Sequence, residues 1–250
     1  MSHDAPTDQE LAERFRPVFA RIAEGAAQRD LDRQLAHEPV RWLAEAGFGA
    51  LRVPREFGGL GASVEQHYDL LIELGEADSN LPQALRSHFG FIERLYAEVG
   101  PALHEPWLRR IADGAIFGNA TTERGDHPLG ELDTVLRETP DGWRLSGEKF
   151  YSTGTLYADW IQVSARREGR AAAPEGHQTF VLVPATAEGV TREDDWTGFG
   201  QRLSASGTTR FDAVAVDPAH IEESIKLDLQ SGSLSDLGRH EVAECIGACS

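Results

Sequence analysis

Across residues 1–114, apolar positions recur at the three-to-four spacing of a helix face. Across 115–220 they alternate in short runs between turn residues. Leu11, Phe15, Val18, Phe19, Ile22 and Ala26 form one stripe, and Thr7 followed by Glu10 has the capping-box spacing at its start. Pro39 opens a second, short helix through Trp42 and Leu43, and Gly47 stops it. Arg55-Glu-Phe-Gly-Gly-Leu-Gly61 is a glycine-rich loop. Ser63 with Gln66 caps a third helix carrying Leu70, Leu71 and Leu74. Asn80 begins a fourth, with Leu81, Leu85, His88, Phe89, Ile92 and Leu95. Gly100-Pro101 ends it, and Pro106 is expected to start another that closes at Gly114.

Beyond residue 115, Trp160, Ile161, Val163 and Phe180–Val183 are strand-like, and Thr208–Val216 alternates through Phe211, Val214 and Val216. Arg167–Gly176 is expected to be a hairpin tip. The last segment shows a brief alternation at Ile225, Leu227 and Leu229, then a helix start at Ser235 or Asp236. These elements predict an α+β protein. Residues 1–114 form an N-terminal helical domain, 115–220 a middle domain that is a small β-barrel or sandwich, and 221–250 the remnant or start of a C-terminal helical domain.

Composition narrows the chemistry. A net charge of −17 argues against nonspecific nucleic-acid binding, and no basic cluster suggests an anionic membrane partner. No apolar run approaches the roughly 20 residues that span a bilayer, and the N-terminus does not read as a secretory signal. Both cysteines, Cys245 and Cys249, lie near the C-terminus, which excludes a disulfide scaffold and makes a reducing cytoplasm the simplest setting. Two thiols with no further ligand nearby do not make a zinc site. Gly58-Gly-Leu-Gly61 lacks the spacing and the preceding strand of a phosphate loop, and there is no H-E-x-x-H or G-x-S-x-G arrangement.

The most informative stretch is Ser146-Gly-Glu-Lys-Phe-Tyr-Ser-Thr-Gly154, followed by Ala158-Asp159-Trp160. It sets an aromatic, two hydroxyls and a turn glycine between strand-like segments, the inventory that holds a flat, hydrogen-bonding ring such as a flavin. Four motifs then occur in one order: Arg55–Gly61, Gly118-Asn-Ala-Thr-Thr-Glu123, Gly147–Gly154 with Ala158-Asp159, and Gly200-Gln-Arg-Leu-Ser-Ala-Ser-Gly207 leading to Phe211. In that order, on a helical-then-β layout, they resemble the acyl-CoA dehydrogenase superfamily over roughly residues 8–220.

The resemblance implies a helical domain, a β-barrel, flavin (FMN or FAD) bound between the barrel and a C-terminal helical bundle, and a homodimer or homotetramer. It implies that Asn119, Thr121 and Thr122 contact the flavin from the first barrel strand, and that Tyr151, Ser152 and Thr153 lie against another part of the ring. The alternative for Tyr151 is a strand aromatic of the barrel core, and for Thr121 and Thr122 it is plain strand propensity. Arg124-Gly-Asp-His-Pro-Leu-Gly130 stands where the dehydrogenases carry a Pro-x-x-Gly-Ser-Asp-like turn. Tyr-Ser-Thr-Gly likewise replaces a Trp-Ile-Thr/Ser-Asn type of sequence.

Both departures resemble the flavin-dependent monooxygenase branch, the dibenzothiophene monooxygenase and sulfur-acquisition type. That implies reduced flavin supplied by a partner reductase, a C4a-hydroperoxide, and a small substrate of the organosulfur class. Asn119 and Ser152 are then implied beside the peroxide, and Trp196 lining the pocket, where simple barrel packing is the alternative. His88 is implied to face the same cavity, although alone it reads as a satisfied histidine on an apolar helix face. An acyl-CoA dehydrogenase and a noncatalytic remnant stay open as alternatives. The family's C-terminal bundle is expected to be largely absent, as in a C-terminally truncated member.

Overall fold

The structure, a computed structural model, describes residues 5–98, 101–125, 132–168 and 177–225. Five helices come first: α1 (Asp8–Asp32), α2 (His37–Glu45), α3 (Val64–Ala77), α4 (Asn80–Glu98) and α5 (Pro101–Ala112). Two of them start on capping boxes. Glu10 N donates to Thr7 Oγ1 at 3.2 Å while Thr7 N donates to Glu10 Oε2 at 2.8 Å. Gln66 and Ser63 repeat the arrangement at 3.1 and 3.0 Å. Each exchange satisfies donors that a helix start leaves orphaned. One expectation is corrected: α5 begins at Pro101 and carries Pro106 inside it. A first-turn proline has no helical N–H to lose, so Pro101 is the better starter, and Pro106 costs the helix only one bond.

Phe15, Phe19, Phe48 and Phe89 pack edge-to-face in the helical core. The same buried cluster takes in Phe117 and Leu182 from the β half, so the two halves share apolar packing.

Eight strands follow: β1 (Phe117–Ala120), β2 (Val135–Thr139), β3 (Gly142–Lys149), β4 (Trp160–Glu168), β5 (His177–Pro184), β6 (Val190–Arg192), β7 (Thr209–Val216) and β8 (Ile221–Ile225). Their order is β6-β7-β3-β2-β4-β5-β8, with β1 pairing β4 off this path. β1 lies parallel to the start of β4 (Asn119 opposite Gln162), and β2 lies parallel to its end (Val135 opposite Arg166). Alternate residues Leu136, Leu145, Val163, Val181, Val183 and Phe211 fill the inner face. An extra residue at Ala213, with φ 48°, bulges β7 against β3.

Two further expectations change here. The sheet is open rather than a closed barrel: β6 and β8 end the strand path and do not pair, and three-residue β6 offers little edge for closure. The sheet also runs past residue 220, because β8 pairs antiparallel with β5 (Val181 opposite Ile221). The expected hairpin does form between β4 and β5, while its tip, 169–176, lies outside the described residues, as do Leu227, Leu229, Ser235, Asp236 and both cysteines.

Glycines set the approach of α4 to the β half. Gly154 has φ 77°, and a Cβ there would stand 2.4 Å from the Ala84 carbonyl oxygen. A Cβ on Gly118 would stand 2.8 Å from Thr155 Cα. Backbone cannot yield as a flexible side chain can. Gly154→Ala is therefore expected to lower stability by roughly 1–3 kcal/mol, read as a shifted urea midpoint with an unchanged slope.

Candidate functional site

β1 and its continuation meet the segment that follows β3. Phe150 N donates to Thr122 O at 2.8 Å across an antiparallel bridge, and Asn119 N donates to Thr153 O at 3.3 Å. Residues about thirty positions apart thus form one ledge. Thr122 is exposed, Asn119 and Thr121 are half-buried, and Thr121 Oγ1 donates to Asn119 Oδ1 at 3.3 Å. Tyr151 adopts φ 55°, a left-handed conformation rare for an aromatic residue, and its side chain stands 47% exposed.

Trp196 converges on the same place. Its ring meets Tyr151 edge-on, centroids 5.9 Å apart, and its Nε1 donates to Gln201 O at 3.3 Å. Arg33, at the end of α1, grips the Trp196 loop. It donates twice to the Asp194 carboxylate at 2.8 Å and once to Trp196 O at 2.6 Å. The paired backbone of 119–122 and 150–153, with Tyr151 and Trp196 in ring contact beside it, forms one shelf. Thr122 and Tyr151 stand exposed on this shelf, and Asn119, Thr121 and Trp196 are half-buried.

Three expected site residues sit differently. Ser152 is fully buried, and its Oγ has no hydrogen-bond partner among the described residues. Its backbone does the local work: Ser152 N donates to Gly207 O at 3.0 Å, and Ser152 O accepts from Thr155 Oγ1 at 2.8 Å. Thr153 is also buried, its hydroxyl bonded to Ser206 Oγ at 3.0 Å. His88 does not line a cleft. It is wholly buried, Nε2 lies 2.9 Å from Gly49 O, and Nδ1 accepts from Phe117 N at 3.2 Å. With Nδ1 an acceptor, Nε2 must carry the proton, which makes the ring a neutral structural bridge from the Gly49 turn through α4 to β1. Burial is the main reason that its pKa falls to about 4.

A buried ion pair behind the shelf was not anticipated. Lys149 Nζ, with no exposed surface, lies 2.6 Å from Glu123 Oε1, 3.1 Å from Ser164 Oγ and 3.4 Å from Thr121 O. Glu123 also accepts from Asp133 N at 2.6 Å and Thr134 N at 2.9 Å. Burial alone would raise the Glu123 pKa, but Lys149 and these donors hold it down to about 2. Burial pulls Lys149 below the usual lysine value against the opposing pull of Glu123. The signal was present in the alternation: Trp143 and Leu145 face inward, and the same period puts Lys149 inside. Among the described residues no cluster of three or more His, Cys, Asp or Glu is arranged to hold a metal, and no helix is long and apolar enough to cross a membrane.

Comparison with known proteins follows the same division of the chain. The model of the acyl-CoA dehydrogenase N-terminal domain matches residues 5–115, and that of the acyl-CoA dehydrogenase middle domain matches 119–214. A dibenzothiophene monooxygenase of Mycolicibacterium goodii is 29% identical over 200 residues, covering 78% of this chain and 47% of its own length. A probable FMNH2-dependent monooxygenase, SfnC of Pseudomonas putida, is 29% identical over 205 residues, covering 81% and 49%. The crystal structure of FMN-bound TdsC from Paenibacillus sp. A11-2 superposes with a TM-score of 0.73 at 24% identity, covering 84% of this chain and 52% of that one, which shows the shared fold. The chain spans about half the length of the curated relatives it matches.

Proposed function

This chain belongs to the acyl-CoA dehydrogenase family, and from that premise we propose that it forms the helical and β portions of a reduced-flavin-dependent monooxygenase acting on a small organosulfur substrate. The observation that carries this reading is the shelf itself, where segment 119–122 pairs with 150–153 and the exposed Tyr151 ring meets Trp196. It is supported by the monooxygenase names of the relatives and by FMN in the TdsC structure.

The shelf residues fit a flavin. Asn119 offers both an amide donor and an acceptor, Thr121 and Thr122 add hydroxyls, and Tyr151 adds an exposed aromatic ring. When bound, the flavin supplies the reducing electrons and activates oxygen for transfer to sulfur. The protein's residues orient the ring, through Asn119 and the threonines, and pack it against Tyr151 and Trp196. Ser152 and Thr153 act from behind through their backbone, keeping Tyr151 outward. The Ser152 contribution is made by its backbone N–H and C=O, while its Oγ is buried and has no partner among the described residues. Another surface must cover the shelf during turnover, because water intercepts the reactive oxygen. In this reading a separate reductase in the cytoplasm supplies the reduced flavin, and the assembly is a homodimer or homotetramer.

The test is FMN binding followed by turnover. Titration of the protein into FMN is expected to quench flavin fluorescence, and Tyr151→Ala to weaken binding by roughly threefold to tenfold, the worth of one aromatic contact. Supplied with reduced FMN and oxygen, the protein is expected to oxygenate a thioether or aromatic thiophene. Anaerobic bleaching of bound oxidised flavin by an acyl-CoA would point instead to a dehydrogenase. A protein that takes up neither FMN nor FAD would end the flavin reading altogether.

A further inference from the structure

We propose that Arg124 is the anion receptor of the shelf and binds the phosphate of the flavin nucleotide, an inference that rests on the flavin reading above. Arg124 is exposed and makes no ion pair or hydrogen bond with any described residue. Its guanidinium is nonetheless held in place: Cζ lies 4.2 Å from the Phe150 ring centroid and 5.2 Å from that of Tyr151. Asp195 feels its charge, but both oxygens of that carboxylate are engaged by Thr208, at 2.7 Å to the N–H and 2.6 Å to the hydroxyl. Glu123, next in the chain, is likewise committed to Lys149 and to two backbone N–H groups.

A planar cation resting on two rings keeps its edge N–H groups free while losing rotational freedom. That is the pre-organised fork that suits a phosphate monoester. Its place follows directly from the ledge. Arg124 is two residues beyond Thr122, whose carbonyl takes the Phe150 N–H, and it leans back over Phe150 and Tyr151. A ligand whose flat ring lies on Tyr151 and whose anionic tail extends beyond the ring meets Arg124 with that tail.

Dissociation constants for FMN and for riboflavin, which lacks the phosphate, test this in the parent, Arg124→Gln and Arg124→Lys. The parent is expected to prefer FMN by about tenfold or more. Arg124→Gln should abolish that preference while leaving riboflavin affinity and the thermal midpoint unchanged, and Arg124→Lys should restore part of it. Inorganic phosphate should compete with FMN and not with riboflavin. Equal affinity of the parent for both flavins would overturn the role of Arg124 and leave the flavin shelf standing. So would a preference that survives Arg124→Gln, or an equal loss of both flavins, which would make Arg124 a mere support for the rings. Competition by a sulfinate but not by phosphate would assign the receptor to an anionic substrate and overturn the flavin-phosphate assignment. A parent that binds neither flavin would remove both readings together.

Discussion

Lys149→Met is expected to lower stability by about 3–5 kcal/mol, the cost of stranding one member of a buried ion pair. The ammonium is fully enclosed and serves Glu123, Ser164 and the Thr121 carbonyl at once. Methionine fills much of the same volume, so the loss is electrostatic rather than a cavity. Glu123 would be left buried with its charge uncompensated except by two N–H groups. Removing both charges is a different matter: Lys149→Met with Glu123→Leu is expected to recover most of the loss, since a well-packed apolar pair often equals a buried ionic one. Urea denaturation of the two single variants and the double variant closes the cycle. An unchanged midpoint for Lys149→Met would mean that the pair bears no weight. The site should register the same damage, because Lys149 joins the strand carrying Thr121 and Thr122 to the one running into Phe150 and Tyr151. Variants that stay folded are expected to bind FMN more weakly.

Acidification from pH 6.5 to pH 4 should be the second large destabiliser. Burial holds His88 neutral down to about pH 4, and burial together with the Arg52 charge does the same for His67. The unfolded chain takes up protons on both from about pH 6.5. Their contribution to stability is therefore complete above pH 6.5 and is lost as pH falls toward 4. The loss approaches about 3 kcal/mol per histidine. Below that, Glu123 continues the decline as pH drops from about 4.5 toward 2, because its carboxylate is the form the fold stabilises. His88→Gln keeps a donor for the Gly49 carbonyl and removes one titration. It is expected to flatten the slope of stability between pH 6.5 and 4 by about half. A slope unaltered by that change would show that His88 is not the titrating group.

Local order was legible along the chain wherever the interaction spans only a few residues. The Thr7–Glu10 and Ser63–Gln66 boxes, the Asn80 helix start and the turn at Gly47 all rest on contacts within one turn of backbone, and each formed as expected. Two of the motif segments, 119–122 and 150–153, are neighbours in the fold, joined by backbone hydrogen bonds, and Tyr151 meets Trp196. The direction of individual side chains was not legible. Ser152 and Tyr151 are neighbours in one hydroxyl-rich motif, yet the positive φ at Tyr151 sends one outward while the other is sealed in. His88 has the spacing of a core position and the chemistry of a catalyst. Only the Gly49 carbonyl and the Phe117 N–H, brought to it from 39 residues before and 29 after, decide between them.

By itself the sequence determined which segments are helical, where strands alternate and which family of folds results, because periodicity and capping are short-range properties of the chain. Only the tertiary structure decided that the sheet stays open, that Lys149 and Glu123 neutralise each other inside it, and that the Arg124 guanidinium comes to rest on two aromatic rings. Those outcomes depend on which distant groups desolvate one another, and desolvation is settled only when the layers have packed.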